Sequence, residues 1–289
     1  MHYEGTVIRP PSEANSIILQ VTLGCSHNKC TFCGAYKEKV FTIKDDTLIN
    51  HDIDWAARTC DRLKRVFLAD GDALIIPHKR LVTIFRRIRQ KLPWVNRISL
   101  YGNAKSIRLK KPEQLAELKA LGLHRVYMGL ESGHDQVLAA IRKGETTRSM
   151  IRAAEKVRKN NIFLSVTVLL GIGGLALSME HARRTAQTLN EMQPNQVAAL
   201  TLMILDNTPL AQELADGTFV LPNQQQLLEE LRTLVNHLNL TRCQFHCNHA
   251  SNYLPLAGRL PKDKPTLLHA IDQALAGHGQ LVPEALRAL

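Results

Sequence analysis

The sequence predicts an α/β fold built on a parallel sheet, for two reasons. Six short runs rich in β-branched residues alternate with longer amphipathic stretches. They recur at about 30 residues, the length of a β-α-β unit. Most runs are almost continuously apolar, as expected of parallel strands covered on both faces.

Strands are expected at 17–23, 65–69, 97–101, 125–129, 164–170 and 197–204. Helices are expected between them at 46–63, 77–91, 112–121, 134–159 (broken at Gly144) and 178–192. Strand–helix alternation with right-handed crossovers suits either a barrel or an open doubly wound sheet. In both, chemistry gathers at the carboxyl ends of the strands. Beyond the sixth strand come a Leu- and Gln-rich helix at 222–240, a polar stretch from Cys243 to Tyr253, and a short helix at 266–276.

Hydrophobic residues make up 45% of the chain and charged residues 22%, the balance of a soluble protein. No apolar run reaches bilayer length, and the first residues show no basic flank followed by an apolar stretch, so a cytoplasmic location without membrane contact is expected. The net charge of +11 favours polyanionic partners, nucleic acid among them. No aromatic residues interleave with the basic helix faces, however, and a solvated surface is the simpler account.

Six cysteines in 289 residues are too few for a disulfide scaffold. Three fall within nine residues, in Gly24-Cys25-Ser-His-Asn-Lys-Cys30-Thr-Phe-Cys33-Gly34, directly after the first strand. Such crowding points to metal or redox chemistry. Iron–sulfur clusters take thiolates from loops of this kind, usually four. Three would leave one iron open to an exogenous ligand, by the logic that gives catalytic zinc an open position. Zinc held with His27, or dithiol chemistry at Cys30 and Cys33, are the alternatives.

This loop resembles the signature of the radical S-adenosylmethionine (SAM) superfamily, whose three cysteines are spaced by three and two residues with an aromatic before the third. Phe32 takes the aromatic place, while the first gap here holds four residues. The resemblance continues from Ile17 to about Pro209. It is strongest toward the branch that contains oxygen-independent coproporphyrinogen oxidase-like and radical tRNA-modifying enzymes. It implies a partial (β/α)6 barrel with a C-terminal helical extension, organised as a lead-in at 1–15, a core at 16–216 and the extension at 217–289.

The resemblance also implies roles. Cys25, Cys30 and Cys33 would hold a [4Fe–4S] cluster that cleaves SAM reductively to a 5′-deoxyadenosyl radical. The turn Asp70-Gly71-Asp72 occupies the place of a Gly-Gly-Glu-type turn that binds the methionyl amine, with Gly71 letting the backbone approach. Glu131 would contact the ribose hydroxyls and Lys143 the methionyl carboxylate, with Arg142 as its substitute. The turn around Ile172 would lie against adenine. Apart from the resemblance, Asn103 and Ser106 after the third strand are side chains able to hydrogen-bond cofactor or substrate. An ordinary Asp-Gly turn, a helix cap and a solvated basic pair are the plain readings of the same residues. A one-electron donor such as flavodoxin or ferredoxin is the implied partner. The substrate is expected to be a small molecule, with RNA or a non-enzymatic nucleic-acid-binding role as alternatives.

Cys243-x-x-His246-Cys247-x-His249 offers four metal-ligand types in seven residues. The spacing suits neither the usual zinc modules nor a cluster, and buried thiols with capping histidines are the simpler reading. His249 and Asn252 are expected to face the substrate as catalytic donors, because a polar cluster without partners is costly to bury.

Overall fold

A computed structural model describes residues 1–288. One sheet of eight strands runs in the order β1-β4-β5-β6-β7-β8-β9-β10 and does not close on itself. Its strands are β1 (Ile17–Gln20), β4 (Arg65–Ala69), β5 (Arg97–Tyr101), β6 (Leu123–Glu131), β7 (Phe163–Leu170), β8 (Gln196–Thr201), β9 (Cys243–Cys247) and β10 (Leu256–Leu260). A separate pair, β2 (Thr22–Leu23) and β3 (Thr42–Ile43), is antiparallel. The helices are α1 (Asp46–Thr59), α2 (His78–Lys91), α3 (Ala104–Leu109), α4 (Pro112–Ala120), α5 (Asp135–Ala140), α6 (Thr147–Lys159), α7 (Gly174–Met192), α8 (Pro209–Ala215), α9 (Gln224–His237) and α10 (Lys264–Leu275). The expected partial parallel barrel is the fold class found.

The chain packs as two compact units. The first comprises Met1–Asn28, Ala35–Met128 and Arg152–Leu164. Here β1, β4, β5 and β6 pair in parallel, with Ile17 opposite Val66, Val66 opposite Ile98 and Leu100 opposite Val126. One face of these strands is aliphatic, and the facing helices bury Ile49 and Ile53 of α1 and Phe85 and Ile88 of α2. The opposite face carries Phe67, Tyr101 and Tyr127, whose rings meet edge to face at 5.1 and 5.9 Å. Residues of the lead-in cover it: Glu13 is buried and accepts from the Tyr127 hydroxyl at 2.6 Å. Both faces of β4 are therefore covered, which explains its unbroken apolar run.

The second unit comprises Lys29–Gly34, Gly129–Ile151 and Ser165–Leu289. Strands β7 and β8 pair in parallel, with Ser165 opposite Gln196 and Leu170 opposite Thr201. Strand β9 joins β8 in parallel, and β10 closes on β9 in the antiparallel sense. The extension thus adds strands as well as helices, where helices alone were expected. Within the polar stretch from Cys243, the residues Cys243, Phe245 and Cys247 form the core face of β9, each thiol packing as a small hydrophobe. Helix α9 packs against α7 and α10, and its N-terminus carries a capping box between Asn223 and Gln226.

Candidate functional site

The thiol loop begins where β2 ends, turning at Gly24 with φ 72°. Cys25, Cys30 and Cys33 are each partly buried, and none forms a disulfide. Within the first unit, Asn28 anchors the loop by donating from Nδ2 to the Tyr36 carbonyl at 2.7 Å. Within the second, the Thr31 N–H donates to the Ile141 carbonyl at 3.0 Å, and Asn207 donates to the Gly34 carbonyl at 3.1 Å. Phe32 is partly buried beside them in sequence.

The exit of β4 packs directly on the start of this loop. A Cβ on Gly71 would lie 3.0 Å from Cys25 Cβ and 2.8 Å from the Tyr36 ring, so only glycine lets the turn pass this close. The two flanking carboxylates are fully buried. Asp70 accepts from Gln20 Nε2 and from the Tyr36 hydroxyl, each at 3.1 Å, with Lys39 Nζ at 3.7 Å. Asp72 accepts from Ser26 Oγ at 2.5 Å and from Asn103 Nδ2 at 2.8 Å. Burial raises the pKa of both, and that of Asp72 reaches about 6 despite the donors from Ser26 and Asn103. Parallel pairing of β4 with β5 puts the two strand exits side by side, which is why Asp72 and Asn103 meet. Asn103 also caps α3, its Oδ1 accepting from the Ser106 N–H at 2.8 Å.

In the second unit the structure joins two further candidates. Lys143 Nζ donates to Glu131 Oε1 at 2.8 Å, and both side chains are largely buried. Glu131 ends β6 with φ 63°, and the Ser132 N–H closes a tight turn onto the Leu130 carbonyl at 2.8 Å. A side chain larger than asparagine rarely adopts that conformation, and such strain collects at functional positions. Gly129 makes the pair possible, since a Cβ there would stand 2.1 Å from Glu131 Oε1. Ile172, after β7, is buried in the turn Gly171-Ile172-Gly173, with Gly171 at φ 84°.

The C-terminal candidates are placed differently. Asn252 is buried: its Oδ1 accepts from Thr201 Oγ1 at 2.9 Å and its Nδ2 donates to the Ala199 carbonyl at 3.0 Å. It staples the extension to β8. His249 is partly buried, and its Nδ1 accepts from the Ser251 N–H at 3.1 Å, which leaves the proton on Nε2. Burial lowers its pKa, so the ring is neutral at physiological pH. Cys243 and Cys247 lie in β9, and burial pushes both thiols up to about 12, the behaviour of inert core cysteines.

Sequence reasoning passed over Ser26, Gly129, His181 and Glu230. For Glu230 a signal existed: it shares the apolar face of α9 with Leu227, Leu231 and Leu234, where a carboxylate needs partners.

An unclosed, mostly parallel sheet covered by helices defines an α/β protein of the partial-barrel class. The chain belongs to the Radical SAM superfamily, which matches residues 19–189, more than half its length. No curated protein matches it. Among solved structures it is similar to TsrM of Kitasatospora setae, a radical SAM methyltransferase with cobalamin and a [4Fe–4S] cluster bound. The TM-score is 0.57 at 17% identity, over 69% of this chain and 39% of that one. TsrM has also been solved with its tryptophan substrate and a SAM analogue. Coproporphyrinogen III oxidase HemN of Escherichia coli gives 0.55 at 16% identity, over 77% and 53%. Methylornithine synthase PylB gives 0.54 at 13% identity, over 78% and 65%. At these identities the likeness is one of fold, and the chain spans less than two thirds of each. No helix among the described residues is long and apolar enough to cross a membrane.

Proposed function

We propose that this radical SAM enzyme holds a [4Fe–4S] cluster through Cys25, Cys30 and Cys33 and binds SAM beside it. The observation that carries the reading is the set of three partly buried thiols on one loop, with Gly71 packed against Cys25. The donor set fits a cubane with one open iron. When bound and reduced, the cluster supplies the electron that cleaves the carbon–sulfur bond of SAM and yields a 5′-deoxyadenosyl radical for hydrogen abstraction.

The chain's own residues bind and orient. Asp72, the carboxylate tied to Ser26 of the thiol loop, accepts from the methionyl ammonium, and Asn103 holds that carboxylate in place. Asp70 is held by Gln20 and Tyr36 and fixes the turn around Gly71. Glu131 accepts from the ribose hydroxyls through Oε2 while Oε1 stays on Lys143, and a carboxylate has capacity for both. Lys143, held on Glu131, is the basic residue for the methionyl carboxylate. Ile172 offers an apolar surface to adenine, and Phe32, between Cys30 and Cys33, serves in cofactor binding. His249 presents Nε2–H as a donor toward a small-molecule substrate. A one-electron donor protein is the required partner, and the net charge of +11 suits an acidic one.

Anaerobic reconstitution followed by iron and acid-labile sulfide analysis tests the reading, together with dithionite-driven formation of 5′-deoxyadenosine from SAM. Four irons and four sulfides per chain are the result expected of a cubane. Zinc without sulfide would replace the reading with a thiolate zinc site.

A further inference from the structure

A buried polar chain runs through the second unit, where apolar packing would be less costly. Glu230 of α9 is fully buried, and its Oε1 accepts from the Gly171 N–H at 2.8 Å. Its Oε2 accepts from Ser178 Oγ. His181 of α7 places Nε2 3.2 Å from the Leu169 carbonyl and 3.5 Å from Glu230 Oε1. A carbonyl only accepts, so Nε2 carries the proton and Nδ1 accepts from the Ser132 hydroxyl at 2.8 Å. Ser132 Oγ accepts in turn from the His134 N–H at 3.0 Å. Beside it, the Gly133 N–H donates to Thr185 Oγ1 at 2.9 Å, and a Cβ on Gly133 would stand 2.5 Å from the Thr185 Cα.

Two helices therefore clasp two turns. The exit of β6, next to Glu131, is held from α7 through Ser132 and Gly133. The exit of β7 is held from α9 through Gly171. Burial raises Glu230 to about 7 and lowers His181 to about 4, which favours the neutral forms a dry network tolerates. Helix α9 lies beyond residue 189, where the family match ends.

We infer that Glu230 and, beside it, His181 are positioning residues for SAM: Glu230, by accepting the Gly171 N–H, sets the turn that meets adenine, and His181, accepting from Ser132, steadies the turn that carries Glu131. The C-terminal extension is then part of the cofactor site's construction in this chain. The inference rests on the proposed roles of Glu131 and of the turn at Ile172.

The test is SAM affinity by anaerobic equilibrium dialysis, with iron content and melting temperature, on cluster-loaded wild type, Glu230→Leu, Glu230→Gln, Ser132→Ala and Glu131→Ala. Loss of an outer-shell partner of a metal ligand costs about 10- to 100-fold in affinity or activity, and a comparable scale is expected here for SAM. Glu230→Leu should fall in that range with iron content unchanged, and Glu230→Gln should recover most of the loss, because its amide oxygen still accepts the Gly171 N–H. Ser132→Ala removes one hydroxyl, so it folds where the leucine variant fails, and it should weaken binding several-fold. Wild-type affinity in Glu230→Leu, or in Ser132→Ala if the leucine variant does not fold, overturns the inference. So does an equal loss in the glutamine and leucine variants. Unchanged affinity in Glu131→Ala, or no SAM binding by wild type, instead marks failure of the underlying functional reading.

Discussion

Glu131 and Lys143 form a 2.8 Å ion pair in the space that Gly129, lacking a side chain, leaves beside them. A methyl group at position 129 would collide with Glu131 Oε1 and lie 3.1 Å from Lys143 Nζ. Gly129→Ala should therefore displace the carboxylate without touching the thiol loop. A charge-assisted hydrogen bond is worth about 1.5–3 kcal/mol, so SAM should bind roughly ten- to a hundredfold more weakly. Anaerobic titration of cluster-loaded protein measures this, and unchanged affinity would show that Glu131 does not touch the cofactor.

The cluster assignment separates two classes of cysteine. Cys25→Ala, Cys30→Ala and Cys33→Ala should each abolish the brown chromophore and SAM cleavage. Cys60→Ala and Cys243→Ala should retain the full iron and sulfide content. A triple Cys25/Cys30/Cys33 variant that still held its iron would refute the assignment.

Asp72 gives the site a pH dependence. Its pKa, lifted to about 6 by burial, lies above the ordinary carboxylate value near 4. Ionised Asp72 is a cost to folding at neutral pH, and that cost is relieved as pH falls from about 6 toward 4. With Asp72 on the methionyl ammonium, as proposed, cofactor binding has the opposite sign, because an ammonium needs the carboxylate. SAM affinity should fall about tenfold per pH unit below pH 6. Glu230 titrates nearby, at about 7, so the ratio of wild type to Asp72→Asn isolates the Asp72 contribution. A ratio constant from pH 5 to 7 would remove Asp72 from the amine site.

Asn252→Ala should act on stability. It deletes two buried hydrogen bonds and leaves Thr201 Oγ1 without that partner, a loss of about 1–3 kcal/mol. For a chain of this size that is a fall of roughly 2–12 °C in Tm, readable by calorimetry. Uncoupled formation of 5′-deoxyadenosine at low temperature should persist. Full stability with loss of substrate turnover alone would show that Asn252 acts on the substrate and not on stability.

Much of the fold was legible. The runs at 65–69 and 97–101 coincide with β4 and β5, because strands covered on both faces have no reason to interrupt an apolar run. The break expected at Gly144 separates α5 from α6, and that glycine takes φ 73°. Strands β9 and β10 were not legible. Strand β10 alternates partly buried and exposed residues up to Leu260, and its apolar content is too low to stand out from a loop.

The sequence by itself determined the α/β class, the three-thiol loop and the candidate carboxylates, because these depend on residue type and on spacing along the chain. Only the tertiary structure decided how those side chains are used. Asp72 and Asn103 are 31 residues apart and meet because parallel pairing aligns two strand exits. Asn252 meets Thr201 of β8, 51 residues away, because the extension packs on that strand. Glu230 and Gly171, 59 residues apart, meet because α9 packs on α7. A buried polar atom takes whatever partner the packing brings within reach, and that choice is made across distances no local pattern records.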